Sequence, residues 1–295
     1  MTEDMYFRPP SEANNLLIRV MHGCPYNKCT FCNVFKKIPY RPVPLSEITA
    51  CLDKDAEEFG PEYIDSVDSI YLEGGDPLAL PTGDLLYIMD YAKSRFPALK
   101  RFACYATALF TGRKNVLELK ELAQAGLARV FVGLESGCDE LLKATNKGCT
   151  CDDLKRVGAM LREAGIEMDV SMMLGIGGPE LSRRHALATA DLLNDIEPVC
   201  VRIRTYMPKE DTPLGNDYLQ GGFRLMDPYE ILRELRLLVE NIHGRMQLLS
   251  EHWSDFIMFN AYMPEAKEEL LKYIDQALTQ PRETFRETGL SQGRS

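Results

Sequence analysis

The sequence predicts an α/β fold built on a parallel sheet, and three observations predict it. Apolar runs of strand length recur along the first two thirds of the chain, amphipathic helical patterns separate them, and each run ends in small or polar residues. The runs are nearly continuous in Val, Ile, Phe, Tyr and Met, which is typical of strands buried on both faces of a sheet.

The predicted elements alternate in a regular order. Strands are predicted at residues 16–23, 69–75, 101–107, 129–137, 168–178 and 199–208, and the helices between them at 45–60, 82–97, 115–126, 150–165 and 180–198. Polar residues such as Ser46 open the helices, and Gly or Pro closes them, which is the expected boundary chemistry. Six such alternations predict right-handed crossovers between parallel strands.

The pattern changes after residue 220. Helices are predicted at 227–244 and 264–280, and the apolar stretch between them has no regular period. We therefore expect a core at 1–220 and a helical cap at 221–295. The irregular stretch contains His252, Trp253 and Asn260, and it is interpreted either as part of the core or as a lid over a substrate.

Charge and cysteine content narrow the class of protein. The net charge of −10 argues against a broad nucleic-acid or anionic-membrane surface, because such surfaces concentrate Lys and Arg. The N-terminus lacks the pattern of a signal peptide, and no stretch has the length and apolarity of a membrane span. Nine cysteines in a chain of 295 residues do not suggest a disulfide framework. We expect a cytoplasmic protein, and in a reducing compartment a tight cluster of cysteines indicates metal binding or catalysis.

Three of the cysteines form a tight cluster in "HGCPYNKCTFCNVF", with the spacing C-x4-C-x2-C at Cys24, Cys29 and Cys32. Buried packing explains them poorly, because the intervening residues are those of a polar loop. A zinc site would need a fourth ligand, for which His22 is the local candidate. A [2Fe–2S] site of plant type has this spacing but also needs a distant cysteine, and the next one, Cys51, lies in a predicted helix.

The interpretation we favour is an iron–sulfur cluster held by three cysteines with one iron left open. An open coordination position distinguishes a catalytic metal centre from a structural one. The cysteines follow the first strand, at the carboxyl edge of the predicted sheet, where ligands bind in parallel α/β folds.

These motifs resemble those of the radical S-adenosylmethionine (SAM) enzymes, in the branch of coproporphyrinogen dehydrogenase, Elongator and the methylthiotransferases. The resemblance extends over residues 15–215 and includes, besides the cysteines, "LEGGDP", "VGLESGCDELLKATNKG", "MMLGIGGPE" and "RIRTYMPKEDTPLG" in the family's order. Two departures are visible: the first cysteine gap has four residues where the family usually has three, and Asp76 replaces the usual Glu. The resemblance implies a partial (β/α)6 barrel.

The resemblance also implies the cofactors and their residues. Cys24, Cys29 and Cys32 would hold a [4Fe–4S] cluster, and the SAM contacts would be Phe31, Gly74, Gly75, Asp76, Thr107, Glu135, Ser136, Ser171, Gly175 and Arg204. The implied reaction is reductive cleavage of SAM to a 5′-deoxyadenosyl radical, which abstracts hydrogen from a small-molecule, lipid-precursor or peptide substrate. An electron donor such as flavodoxin or ferredoxin is the implied partner.

Other readings of some residues stay open. Glu73, Asp76 and Glu135 also suit helix caps at strand ends, Thr107 and Ser171 could satisfy backbone groups, and Arg204 could form a structural ion pair. Two other functions are also open. One is an iron–sulfur or zinc protein that transfers electrons or acts as a scaffold without SAM chemistry, and the other is an RNA-modifying radical SAM enzyme.

Overall fold

The structure, a computed structural model, describes residues 6–290 and divides them into two units. The first unit comprises 6–27, 35–132 and 159–168, and the second comprises 28–34, 133–158 and 169–290. The outermost residues of the predicted core (1–220) and cap (221–295) therefore lie outside the described residues, and that division stays a prediction.

The strands follow the predicted order closely. In chain order they are β1 Leu16–Arg19, β2 Met21–His22, β3 Arg41–Pro42, β4 Ser69–Glu73, β5 Arg101–Ala106, β6 Leu127–Glu135, β7 Glu167–Leu174, β8 Cys200–Thr205, β9 Met246–Ser250 and β10 Phe259–Met263. The helices are α1 Leu45–Ser66, α2 Thr82–Arg95, α3 Ala108–Thr111, α4 Val116–Gln124, α5 Asp139–Ala144, α6 Cys151–Ala164, α7 Gly178–Ile196, α8 Pro213–Leu219, α9 Pro228–Asn241 and α10 Lys267–Leu278.

In the first unit the strands run parallel in the order β1-β4-β5-β6. The side chains of β4 are buried on both faces, as the continuous apolar run predicts. The ring of Tyr71 packs edge-on against Tyr105, with the two ring centroids 5.8 Å apart. Helix α1 is interrupted at Gly60, where φ is +75° and Pro61 follows, so the predicted helix end at residue 60 is a real break in the helix.

In the second unit β7, β8 and β9 are parallel neighbours, and β10 adds to β9 in the antiparallel sense. Helix α7 packs on α9, and α9 packs on α10. A capping box at Asp227 and Glu230 opens α9, which confirms the predicted helix start.

The structure confirms the α/β fold class, since parallel strands alternate with helices through both units. It corrects one detail of the C-terminal segment. Helices α9 and α10 are present as predicted, but the stretch read as irregular contains β9 and β10, whose buried side chains alternate with less buried ones in β9. No helix among residues 6–290 is long and apolar enough to cross a membrane.

Candidate functional site

The first part of the cysteine loop packs against the end of β4. The amide of Gly75 donates to the carbonyl of Gly23 over 3.0 Å. A Cβ atom placed on Gly75 would lie 2.5 Å from the Cα atom of Cys24, so only glycine permits this approach of two backbones. Gly74 has a φ of +148°, and a Cβ atom placed there would collide with the side chain of Met21. The Gly-Gly pair therefore fixes the position of the first cysteine.

The second part of the loop, with Cys29 and Cys32, belongs to the second unit. Thr30, between these cysteines, donates its amide to the carbonyl of Thr145 over 2.9 Å and accepts from the amide of Leu214 over 3.0 Å. The loop backbone is thus held by the end of α5 and by the start of α8. Two segments far apart in the sequence position the thiols of Cys29 and Cys32.

The predicted adenine neighbour Phe31 lies in an apolar cluster beside the same two cysteines. Its buried companions are Cys138, Leu141, Ile176 and Tyr206, and Cys29 and Cys32 pack against this group. The hydroxyl of Tyr206 is buried without a hydrogen-bond partner among the residues described, and burial raises its pKa. The thiols therefore have a largely apolar surrounding.

A buried ion pair is the strongest electrostatic feature of this region. Lys147 Nζ lies 3.0 Å from Glu135 Oε1, and the two side chains are only 7% and 10% exposed. A Cβ atom on Gly133 would lie 2.5 Å from Glu135 Oε1 and 2.7 Å from Lys147 Nζ, so the glycine leaves room for the pair. Glu135 has a left-handed φ of +63°, which is a strained position for a residue with a side chain.

Two lysines interact electrostatically with the cysteines of the second unit, Lys147 with Cys29 and Lys209 with Cys32. Burial alone lowers the pKa of Lys147, but the charges of Glu135 and Cys29 outweigh it, so its net pKa is raised. Lys209 interacts with Cys32 and Glu135, although burial and Arg204 together lower its pKa. Positive charge beside a thiol favours the thiolate, which is the form that binds iron.

Asp76 and Thr107, both predicted to contact SAM, contact each other in the first unit. Asp76 Oδ2 accepts from the amide of Thr107 over 2.8 Å and from its hydroxyl over 2.6 Å. Thr107 also caps α3 through Phe110. Glu73 forms an ion pair with Arg19, 2.9 Å between Oε2 and Nε, so its structural role is the one observed. The β4 and β5 ends are thus joined by carboxylate hydrogen bonds.

Ser136 and Gly175, also predicted to contact SAM, are engaged with buried polar partners in the second unit. Ser136 Oγ lies 2.8 Å from His185 Nδ1 and accepts from the amide of Cys138. The amide of Gly175 donates to Glu234 Oε1 over 2.7 Å. Burial lowers the pKa of His185 to about 4 and raises the pKa of Glu234 to about 7. These contacts fix the backbone after β6 and β7.

The remaining predicted residues lie on neighbouring strands. Ser171 on β7 and Arg204 on β8 are both half-buried, and β7 and β8 are paired in register along this stretch. The Arg204 side chain has no hydrogen bond or ion pair in the part of the chain that the structure describes, which leaves its guanidinium available to a ligand.

Sequence reasoning missed four polar residues of this region: Lys147, Lys209, His185 and Glu234. The signal for Lys147 was its place in the turn "TNKG", where Asn146 and Gly148 both have positive φ. His185 and Glu234 lie on the buried faces of α7 and α9, where an ionisable residue among apolar ones is uncommon.

The three predicted metal ligands are not shown to form a site. Cys24 is described with the first unit, and Cys29 and Cys32 with the second. Over residues 6–290, no group of three or more His, Cys, Asp or Glu side chains is arranged to hold a metal ion. The nine cysteines form no disulfide. The ligand set therefore stays a prediction based on the sequence.

Comparisons with known proteins bear on this arrangement. The family model described as the radical SAM superfamily matches residues 18–193. A probable GTP 3′,8-cyclase of Aeropyrum pernix is 32% identical over 68% of this chain and 53% of its own length. A tRNA-2-methylthio-N(6)-dimethylallyladenosine synthase of Nitrosomonas europaea is 24% identical over 81% of this chain and 54% of its own.

Among solved structures, coproporphyrinogen III oxidase of Escherichia coli, a radical SAM enzyme, has a TM-score of 0.57 to this chain. The match has 14% identity and covers 89% of this chain and 69% of that one, so it shows a shared fold. The chain spans about half the length of the two curated relatives described.

Proposed function

We propose a reductive SAM chemistry for this chain because it belongs to the radical SAM superfamily, whose family model matches residues 18–193. The cofactors of this superfamily are a [4Fe–4S] cluster and SAM. The observation that carries the proposal is the C-x4-C-x2-C run of Cys24, Cys29 and Cys32, which lies inside the matched region.

The donor set of this chain fits such a cluster. Three cysteine thiolates suit iron, and they leave one iron of a four-iron cluster without a protein ligand. Lys147 and Lys209 supply positive charge beside Cys29 and Cys32, which offsets the negative charge that thiolates bring into an apolar surrounding. Gly75 allows the close backbone approach at Cys24.

When bound, the reduced cluster supplies one electron for cleavage of SAM, and hydrogen is then removed from the substrate. The chain's own residues bind and orient. Cys24, Cys29 and Cys32 would hold the cluster, and Phe31 would lie beside the adenine. Backbone groups at Gly74, Gly75 and Gly175 would approach SAM closely. These assignments follow the family motifs and are part of the proposal.

The polar residues divide into those that face a ligand and those that hold the backbone. Arg204, which has no ion pair among the residues described, is suited to the SAM carboxylate, and Ser171 lies on the neighbouring strand. Asp76 with Thr107, and Ser136 with His185, are already hydrogen-bonded, so a SAM contact would have to add to these bonds. Glu135 is likewise engaged, in an ion pair with Lys147 that also interacts with Cys29, so its proposed SAM contact would have to add to this pair.

The test is iron content and SAM cleavage in anaerobically reconstituted protein. We expect about four irons per chain and formation of 5′-deoxyadenosine with dithionite and SAM. Cys24→Ala, Cys29→Ala and Cys32→Ala should each lose both, whereas Cys51→Ala, at an exposed position in α1, should lose neither. Retained cleavage in one of the first three variants would remove that cysteine from the ligand set. Zinc alone, or a [2Fe–2S] spectrum insensitive to SAM, would favour the electron-transfer or scaffold function.

We also propose an electron donor, a substrate class and a cellular location for this protein. We propose flavodoxin or ferredoxin as the electron donor, and either one with its reductase should replace dithionite in the cleavage assay. A small metabolite, lipid precursor or peptide is the proposed substrate class. The acidic net charge of −10 disfavours RNA, and binding of tRNA at low salt would reopen that alternative. A reducing compartment, the cytoplasm, is consistent with nine cysteines outside disulfides.

A further inference from the structure

Arg286 in the second unit has one edge of its guanidinium unused. Its Nε and Nη2 atoms are buried and have no hydrogen-bond partner within residues 6–290. These two N–H groups lie on the same edge of the guanidinium plane, and that edge matches the two oxygens of a carboxylate or phosphate. Leaving buried donors unpaired costs about 1–3 kcal/mol for an ordinary group and more for a charged one. A ligand oxyanion would remove this cost.

Two aromatic rings hold the guanidinium in place. The Cζ atom of Arg286 lies 5.5 Å from the ring centroid of Trp253 and 5.2 Å from that of Phe256. Rings of this kind stabilise a cation and exclude water, but they offer no acceptor oxygen to its N–H groups. The two rings therefore hold the positive charge of Arg286 in place but do not supply a negative charge to neutralise it.

The loop beneath Arg286 is attached to the carboxyl end of β8. Ser254 Oγ accepts from the amide of Thr205 over 3.0 Å and lies 2.8 Å from His252 Nδ1. The neighbouring Asp255 interacts electrostatically with Arg286, but its Oδ2 atom already accepts from Ser250 Oγ and from the amide of His252, over 3.0 and 3.1 Å. It forms no ion pair with Arg286 in the described chain.

His252 lies in the same loop as Trp253, and its ring is 5.3 Å from that of Trp253 between centroids. Burial lowers the pKa of His252 to about 4, and Arg204, Lys209 and Arg286 shift it in the same direction. The imidazole is therefore neutral at pH 7 and able to accept or donate a hydrogen bond. Lys209 is half-buried, and its ammonium has no hydrogen bond or ion pair in the part of the chain that is described. Among the described residues, neither Lys209 nor Arg286 forms a hydrogen bond or an ion pair with a carboxylate, although Glu135 and Asp255 interact with them electrostatically.

We propose that Arg286 binds an oxyanion group of the substrate, either a carboxylate or a phosphate, through its two unused N–H groups, and that Lys209 contributes positive charge to this binding. This inference rests on the proposed function, because Lys209 also faces Cys32 and Glu135 and so connects this site to the predicted cofactor residues. Arg204 is left to the SAM carboxylate. The proposal narrows the substrate class to anionic molecules that are held through their charged group.

The chain contains its own probe for this site. Trp253 is its one tryptophan and stacks on Arg286, so its fluorescence should respond to an anion bound there. Inorganic phosphate and succinate would be titrated separately into the reconstituted protein at constant ionic strength, with chloride as the balancing anion. We expect a saturable change with at least one of them, and the tighter of the two identifies the oxyanion type.

Matched variants decide whether Arg286 carries the binding. Arg286→Gln should weaken the tighter anion at least about tenfold, because it removes a charged hydrogen-bond pair. Arg286→Lys keeps the positive charge but loses the two parallel N–H groups of the guanidinium, so its affinity for the anion should lie between those of the wild type and Arg286→Gln. Arg245→Gln is the control, since Arg245 is 86% exposed in the same unit and lies 3.9 Å from Glu265. Lys209→Gln, expected to weaken binding at least about threefold, serves if the Arg286 variants do not fold.

Several results would overturn the inference: no saturable change with either anion, equal affinity in Arg286→Gln, or an equal loss in Arg245→Gln. SAM cleavage is measured in the same samples. Cleavage without anion binding removes this inference alone, whereas anion binding without cleavage removes the proposed function.

Discussion

The buried pair of Glu135 and Lys147 allows a quantitative test of the second unit. Replacing Lys147 with Met keeps most of the length of the side chain and removes its charge, which leaves the carboxylate of Glu135 buried without its ion-pair partner. With Nζ and Oε1 3.0 Å apart, Coulomb's law at an effective dielectric constant of about 20 gives an attraction of about 5.5 kcal/mol. Part of this is offset because Lys147 no longer has to lose its hydration.

We therefore expect Lys147→Met to lower the free energy of unfolding by about 3–5 kcal/mol, the range for buried pairs that lose one partner. The double variant Lys147→Met with Glu135→Gln should return to within about 2 kcal/mol of the wild type, since no charge is then left unpaired. The control is Lys155→Met, which breaks the exposed pair with Asp195, 2.7 Å between Nζ and Oδ2. That change should cost less than about 1 kcal/mol.

The assay is urea unfolding followed by the fluorescence of Trp253, which reports the unit that contains all of these residues. Lys147→Met, Glu135→Gln alone and the double variant form a double-mutant cycle with the wild type. A loss of under about 1 kcal/mol in Lys147→Met would refute the reasoning. A double variant as unstable as the single one would refute it too, because the cost would then come from packing and not from charge.

Three further predictions use other parts of the structure. Gly75→Ala should prevent normal iron loading, because its Cβ would lie 2.5 Å from the Cα atom of Cys24. The control Gly83→Ala, whose Cβ would have nothing within 4 Å, should stabilise the chain by up to about 1 kcal/mol. Iron analysis and thermal unfolding of both variants measure these effects. Glu234 has a folded pKa of about 7, above its unfolded value of 4.5, so the folded state binds more protons between these values and stability should fall as the pH rises from about 4.5 to 7. Glu234→Gln should flatten this part of the plot of urea midpoint against pH. An unchanged slope would contradict the assignment. His185 has a folded pKa of about 4, below the unfolded value of 6.5, so its contribution to stability is present above pH 6.5 and is lost as the pH falls towards 4. His185→Gln should reduce that loss of stability in the same measurement. A steeper loss of stability at acid pH in this variant would contradict the prediction.

Local patterns were sufficient to predict most of the fold. The continuous apolar runs predicted the first six long strands. The predicted helix starts at residues 115 and 227 coincide with the capping residues Asn115 and Asp227, whereas Ser46, predicted to open its helix, lies inside α1, whose N-cap residue is Pro44. Strands β9 and β10 were missed because the stretch that contains them is neither a continuous apolar run nor a helical pattern. Its alternation becomes informative only when Phe259 is seen opposite Ser250 across the pair.

The candidate site could be predicted only in part. Cysteine spacing and the glycines at strand ends are local signals, so the sequence was enough to identify them. The partners of these residues depend on tertiary packing: Lys147 lies twelve positions beyond Glu135, and Glu234 lies fifty-nine positions beyond Gly175. The unpaired guanidinium of Arg286 was not predictable for the same reason, because an unused donor is visible only once every neighbour has been placed.

The hydrogen atom that serves as the side chain of Gly133 has a practical consequence. A single methyl group at that position would occupy the space of both Glu135 Oε1 and Lys147 Nζ. The two charges could thus be forced apart by a substitution that leaves both charged residues in place. Gly133→Ala would therefore separate two effects on this region, the presence of the two charges and their direct contact.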